Sequence, residues 1–282
     1  MARLLLDHPA WFTTSDGRAH RVVGDTTGGM SLITGHQLPS GLFICQQPIG
    51  DRAAPAIDSY FDPGELVGPL ALAAPLRALG PVTRMANPLL WDALGTAVLA
   101  NFIARKNWAG LHRRLCRVVG RCVQTTVGSV WVFPTPQALL GIGDDRVADV
   151  ALRVKTPALQ LIAEAYLAHG AQWNTVMATG GNADTLVEAI TVQVPQLDRA
   201  TIARAVADHS NDFSVYPTDH LLRAAMCQLS TRRTWPVDDT EFRAEWHAVT
   251  GDQRSLWTVL TLASASDACL STTSVGATTS ES

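Results

Sequence analysis

Val194-Pro195-Gln196-Leu197-Asp198-Arg199-Ala200-Thr201-Ile202 is followed closely by Tyr216-Pro217-Thr218-Asp219-His220-Leu221-Leu222-Arg223. The first stretch reads as a loop entering a helix. The second places one carboxylate, Asp219, at the start of another helix, just after Pro217. At a helix N-terminus the amide dipoles favour an ionised carboxylate. Asp219 is therefore a candidate chemical group, or else a plain cap for the helix from Leu221, with Thr218 as a rival for that role.

With 282 residues and 30.2 kDa, the chain can hold one large domain or two smaller ones with buried cores. Hydrophobic residues make up 47% and charged residues 17%, and the mean hydropathy is +0.11, the profile of a compact and somewhat apolar protein. No apolar run approaches the roughly 18 residues that cross a bilayer. The opening Met1-Ala2-Arg3-Leu4-Leu5-Leu6-Asp7 turns polar too soon for a signal peptide. A cytoplasmic protein with no membrane partner is expected. Cys45, Cys116, Cys122, Cys227 and Cys269 are odd in number and lack CxxC spacing, so buried thiols in a reducing compartment are expected. His209, His220 and His247 are not at metal-ligand spacing and read as surface or capping residues. The loop Gly141-Ile142-Gly143-Asp144-Asp145 lacks a phosphate-cradling pattern. No metal or other cofactor is expected.

The net charge of −3 makes no global case for nucleic-acid binding, but the charge is unevenly spread. No acidic residue lies between Asp92 and Asp144, while Arg105, Lys106, Arg113, Arg114, Arg117 and Arg121 are all basic. Arg113, Arg114, Arg117 and Arg121 form a candidate DNA-facing patch, because clustered arginines follow a phosphate backbone and release its counterions. A solvated helix face is the alternative.

The expected fold is α+β and mainly α. Residues 1–80 read as a small antiparallel sheet with a following helix. Short runs such as Ala19-His20-Arg21-Val22-Val23 and Met30-Ser31-Leu32-Ile33-Thr34 alternate there with turns such as Asp25-Thr26-Thr27-Gly28-Gly29. Residues 81–265 read as an all-helical core. In it Asn87 is the expected N-cap and Pro88 the first residue of a helix, followed by helices near 108–119, 156–168, 184–192 and 221–229 and a last helical stretch from Phe242 to about Leu262. The Ser/Thr-rich residues 266–282 read as a disordered tail.

Three further motifs flank the opening stretch in order. They are Asn87-Pro88-Leu89-Leu90-Trp91-Asp92-Ala93-Leu94, Phe133-Pro134-Thr135-Pro136-Gln137-Ala138-Leu139, and Trp246-His247-Ala248-Val249-Thr250-Gly251-Asp252-Gln253-Arg254-Ser255-Leu256-Trp257. With the hairpin and Asp219 they resemble the helix-hairpin-helix base-excision DNA glycosylases, closest to the 3-methyladenine DNA glycosylase II (alkyladenine) branch, over residues from about 17 to 263. The resemblance implies a helix-hairpin-helix core behind the small sheet, with Asp219 as catalytic aspartate, 19 positions after Ala200. One carboxylate suffices chemically, since it can stabilise the oxocarbenium charge of a breaking N-glycosidic bond or orient water. Bifunctional members carry a lysine where this chain has Ala200, so a hydrolase without lyase activity is implied.

The chain also departs from the family pattern. The hairpin usually reads Pro-Gly-hydrophobic-Gly, and Gln196 and Asp198 replace both glycines that let backbone amides approach a phosphate. Gln196, Leu197, Asp198, Arg199 and Thr201 are the residues that would face a DNA backbone, with Asp198 repelling phosphate. Two aromatic positions of the base pocket match Ala200 and Arg204, and a third falls near Leu262. Tyr216, Trp173, Arg204, Trp246 and Trp257 are the candidates for a differently shaped pocket, and packing in the core is the alternative for each aromatic. Three functions follow: removal of an alkylated purine from duplex DNA, hydrolysis of a small nucleoside or nucleotide, or a non-catalytic DNA- or protein-binding module.

Overall fold

The computed structural model describes residues 1–101, 103–143, 150–229 and 234–273. Strand formation begins where the sequence alternates most clearly. Strands β2 (Phe12–Thr13), β3 (Ala19–Gly24), β4 (Met30–Leu38) and β5 (Gly41–Pro48) form an antiparallel sheet in that order. Asp25 shapes the β3–β4 turn by accepting from the amides of Thr27 and Gly29, and Gly28 adopts φ +83°. A second sheet has the order β1 (Arg3–Leu4), β7 (Val82–Met85), β6 (Asp58–Phe61). Its β1–β7 pair is parallel, so the N-terminal sheet region is not wholly antiparallel and reaches past residue 80.

Helix α1 (Leu70–Leu79) leads through β7 into α2 (Leu90–Ala100), the axis of the helical region. Leu90, Leu94, Val98 and Leu99 of α2 are 2% exposed or less, and each such burial contributes roughly 1.5–3 kcal/mol. Helices α5 (Val150–Ala178) and α7 (Arg199–Ser210) pack against α2, and α6 (Ala183–Gln193) packs on α7. Helices α8 (His220–Leu229), α9 (Asp239–Thr250) and α10 (Arg254–Thr273) join α1 in a second apolar cluster. Local caps fix several helix starts: Thr135 for α4 (Pro136–Leu140), Asn182 for α6, Asp198 for α7 and Asp238 for α9.

Several boundaries differ from expectation. Helix α2 starts at Leu90 with Leu89 at its N-cap, because the Asn87 side chain is used elsewhere, accepting from the Leu89 amide and donating to Asp208. Helix α5 extends beyond the expected 156–168 at both ends, with Pro157 inside it. The expected stretch from Phe242 to Leu262 breaks at Gly251 (φ +49°) into α9 and α10. Helix α10 then continues to Thr273, inside the expected tail, whose residues 274–282 lie outside the described residues. Strands β8 (Arg121–Thr125) and β9 (Gly128–Val132) form an unexpected hairpin directly after α3 (Arg105–Val119). Cys116 alone fits the buried-thiol expectation, for Cys45 is half-buried and Cys122 and Cys227 are exposed, since β8 and α8 turn those two thiols to solvent. The Cys269 side chain lies outside the described residues. Among the described residues no helix is long and apolar enough to cross a membrane.

Gly120 ends α3, donating to the Cys116 carbonyl, and turns the chain into β8. A Cβ there would collide with the carbonyl oxygens of Val132 and Cys116. Gly120→Ala is expected to destabilise the fold by about 1–3 kcal/mol, read as a lowered Tm. An unchanged Tm would mean that the hairpin is not held against α3.

Candidate active site

The hairpin between α6 and α7 is built from its own side chains. Val194 and Leu197 are buried in the helical core. The Asp198 carboxylate caps α7, accepting from the Thr201 amide at 2.9 Å and from the Thr201 hydroxyl, and it also accepts from Asn101 Nδ2 at 3.0 Å. Lys155 donates to the Asn101 carbonyl, so α5 and the end of α2 are tied to the hairpin. Thr201 is 1% exposed and Leu197 7%. Neither therefore offers a side chain to a DNA backbone, because one is spent on the cap and the other on the core. Gln196, Asp198 and Arg199 are exposed. Arg199 pairs with Glu188 at 2.6 Å, a solvent-exposed contact worth little and easily exchanged.

Asp219 precedes α8 and takes up the capping role that was one of its two expected readings. Its Oδ1 caps the helix, accepting from the amides of Leu221 at 2.9 Å and Leu222 at 3.2 Å. Its Oδ2 accepts from Arg204 Nη2 at 2.6 Å. Arg204 stands on α7 with its Cζ 5.9 Å from the centre of the Tyr216 ring. Burial works against the Arg204 charge, but Tyr216 and Asp219 outweigh it and raise its pKa.

Arg204 and Tyr216 line a cavity of about 210 Å³, whereas Asp219 reaches that cavity only through Arg204. The space exists because small side chains face it: Ala93, Ala97 and Ala100 of α2, and Ala224 and Ala225 of α8. Trp108, Phe213, Leu221 and Leu262 complete its apolar walls. Trp173, Trp246 and Trp257 do not contribute. Each is 1% exposed or less and packed in the apolar cores, where a large ring gains more by burial than at a cavity wall.

The polar wall was not foreseen from the sequence. Arg84 of β7 donates through Nε to Asp7 at 2.7 Å and also pairs with Asp208 and Asn211. Its Cζ lies 4.7 Å from the Phe213 ring centre, and Phe213 stacks on Tyr216 at 5.5 Å. The order across this wall is therefore guanidinium, ring, ring, guanidinium, with Asp208 at one end and Asp219 at the other. The one signal available in the sequence was the spacing of Arg204 and Asp208, four residues apart and so on one face of α7. His8 also lines the cavity, and burial, the largest cause, together with nearby Arg21 and His112 pushes its pKa well below the usual imidazole value. Its Nδ1 accepts from the Ala10 amide, which leaves the ring proton on Nε2, facing Asp208.

The basic residues Arg113, Arg114 and Arg117 of α3 and Arg121 of β8 are all exposed. They lie on the same stretch of chain as Trp108, so the positive surface begins next to a cavity wall. His209 is half-buried with its Nδ1 against the Asn87 carbonyl, and His220 is exposed. Among the described residues no His, Cys, Asp and Glu side chains are grouped to hold a metal ion.

No protein-family model matches the sequence, and no curated protein matches it. The fold does match solved structures. The 8-oxoguanine glycosylase/lyase of Clostridium acetobutylicum, in complex with DNA containing cytosine opposite 8-oxoguanine, superimposes with a TM-score of 0.66 at 11% identity, covering 94% of this chain and 90% of that one. The 3-methyladenine DNA glycosylase of Archaeoglobus fulgidus gives 0.62 at 15% identity, covering 93% and 91%. The chain has the helix-hairpin-helix glycosylase fold, a small sheet region followed by a helical core, as the opening stretch suggested.

Behind the polar wall, Asp92 of α2 keeps a little solvent contact. Desolvation, the largest cause, raises its pKa to about 6 against the opposing pull of Arg21. An unfolded aspartate titrates near ~3.9. Between those values the folded state holds a proton that the unfolded chain lacks, so this contribution to stability is complete below about pH 4 and is lost as pH rises through about 6. Asp92→Asn is expected to gain on the wild type by about 2 kcal/mol between pH 4 and pH 7 in urea denaturation, somewhat less than the full shift because Asp92 is not wholly enclosed. A stability difference that does not change with pH would refute this titration.

Proposed function

We propose that the chain is a monofunctional DNA N-glycosylase that hydrolyses the bond between a modified purine and deoxyribose, with Asp219 as its catalytic carboxylate. The observation that carries this is the junction of Asp219 with the cavity. A base extruded into the alanine-walled space would put its sugar at the edge where Arg204 meets Asp219. There the carboxylate, fixed by two amides of α8, stabilises the oxocarbenium charge and orients water. Duplex DNA is the proposed partner. The structural neighbours support this, as does the exposed run from Arg113 to Arg121, whose charges suit a phosphate backbone. Alkylated purines, the class that the sequence resemblance implies, are the first substrates to assay.

A single hydrolytic step fits the residues at hand. Schiff-base chemistry needs an amine at C1′. Ala200 stands at the start of α7, and among the described residues no lysine lines the cavity. The Lys155 ammonium is engaged at the Asn101 carbonyl.

Base release from a modified duplex is expected to fall by about 100-fold or more in Asp219→Asn. Unchanged release by that variant would overturn the assignment. Borohydride added during turnover is expected to trap no protein–DNA adduct, and a trapped adduct would overturn the single-step mechanism. Release should also weaken steeply as salt rises, because phosphate contacts displace counterions. Salt-independent turnover would remove DNA as the substrate.

A further inference from the structure

Resting on Asp219 as the glycosidic carboxylate, we propose that Arg204 receives the negative charge of the departing base. The cavity then takes neutral modified purines, which leave as anions, in preference to alkylated purines with a fixed positive charge.

Breaking the C1′–N9 bond sends its electron pair to N9. The sugar becomes an oxocarbenium ion, and a neutral base leaves as an anion. Water oxygen then bonds to C1′, and the proton it sheds ends on the departed base. The transition state is thus a dipole, positive at the sugar and negative at the base. The Arg204–Asp219 pair is its complement, since the guanidinium lines the cavity where the base would lie and the carboxylate sits beyond it on the sugar side.

The guanidinium is also held in advance. It is fixed by Asp219 at 2.6 Å and set against the Tyr216 ring, so little reorganisation is needed as charge develops. Its Nε–H is buried with no hydrogen-bond partner, and the same holds for Nε1–H of Trp108, another residue of the cavity wall. The ring nitrogens and carbonyl of an oxidised or deaminated purine bring acceptors that suit the guanidinium on the cavity wall. A cationic N7-alkylpurine leaves as a neutral molecule and gives Arg204 nothing to stabilise. Before cleavage it meets like charge.

The test is single-turnover base release from two duplexes, one carrying hypoxanthine and one carrying 7-methylguanine. Wild type is expected to favour hypoxanthine. Arg204→Met strands Asp219 and so slows both reactions, but it should lose at least about 10-fold more on hypoxanthine than on 7-methylguanine. Arg204→Lys, which keeps a cation, should recover part of the hypoxanthine rate, and melting curves of both variants check that they fold. Equal losses on both duplexes would reduce Arg204 to a structural partner of Asp219 and overturn the proposal. So would wild-type preference for 7-methylguanine, and that result leaves the glycosylase reading standing. Release of neither base by wild type would overturn the glycosylase reading itself, and this proposal with it.

Discussion

Helix α7 carries a cation and an anion one turn apart, and each finds its opposite on a different element: Arg204 with Asp219 ahead of α8, and Asp208 with Arg84 of β7. The rest of the site hangs on this crossed pairing. It joins sheet and helices through a desolvated region, where losing one partner strands the other and costs several kcal/mol. The two guanidinium groups bracket the stacked Phe213 and Tyr216 rings, so the short segment between α7 and α8 has little freedom. Asp219 inherits its orientation from that segment and from the two amides it caps.

The elements legible in the sequence were those written locally. Pro195 and the apolar periodicity after it mark the hairpin and α7, and Pro217 followed by Asp219 marks the start of α8. The order of motifs such as Phe133-Pro134-Thr135-Pro136 carried the fold class, since each sits at a turn whose chemistry is local. Features decided by distant packing stayed hidden. The helix expected over 156–168 runs from Val150 to Ala178, and tertiary contacts carry it through Pro157. The β8–β9 hairpin is too short for its alternation to stand out. Arg84 is 1% exposed within an apparently ordinary strand, and only its folded partners account for that burial.

Asp198 shows how a side chain changes meaning once its partners are visible. In the sequence it is a negative charge at an expected phosphate site. In the structure it caps α7 and also holds Asn101 at the end of α2. An arriving phosphate would compete with this carboxylate for the α7 amides, so hairpin binding becomes an exchange of one anion for another. Such an exchange yields less net free energy than filling an empty helix end. In the proposed DNA complex, anchoring would then fall more heavily on the exposed arginines of α3 and β8.

The cavity draws its walls from both ends of the chain, with Asp7 and His8 on one side and Leu262 and Ala265 on the other. Its closure is thus a contact of nearly the longest sequence separation this chain allows, and the loop-closure entropy of such contacts slows their formation. During folding the apolar clusters can condense while the cavity is still open. The site is in this sense a property of the finished topology, and no continuous half of the polypeptide contains it.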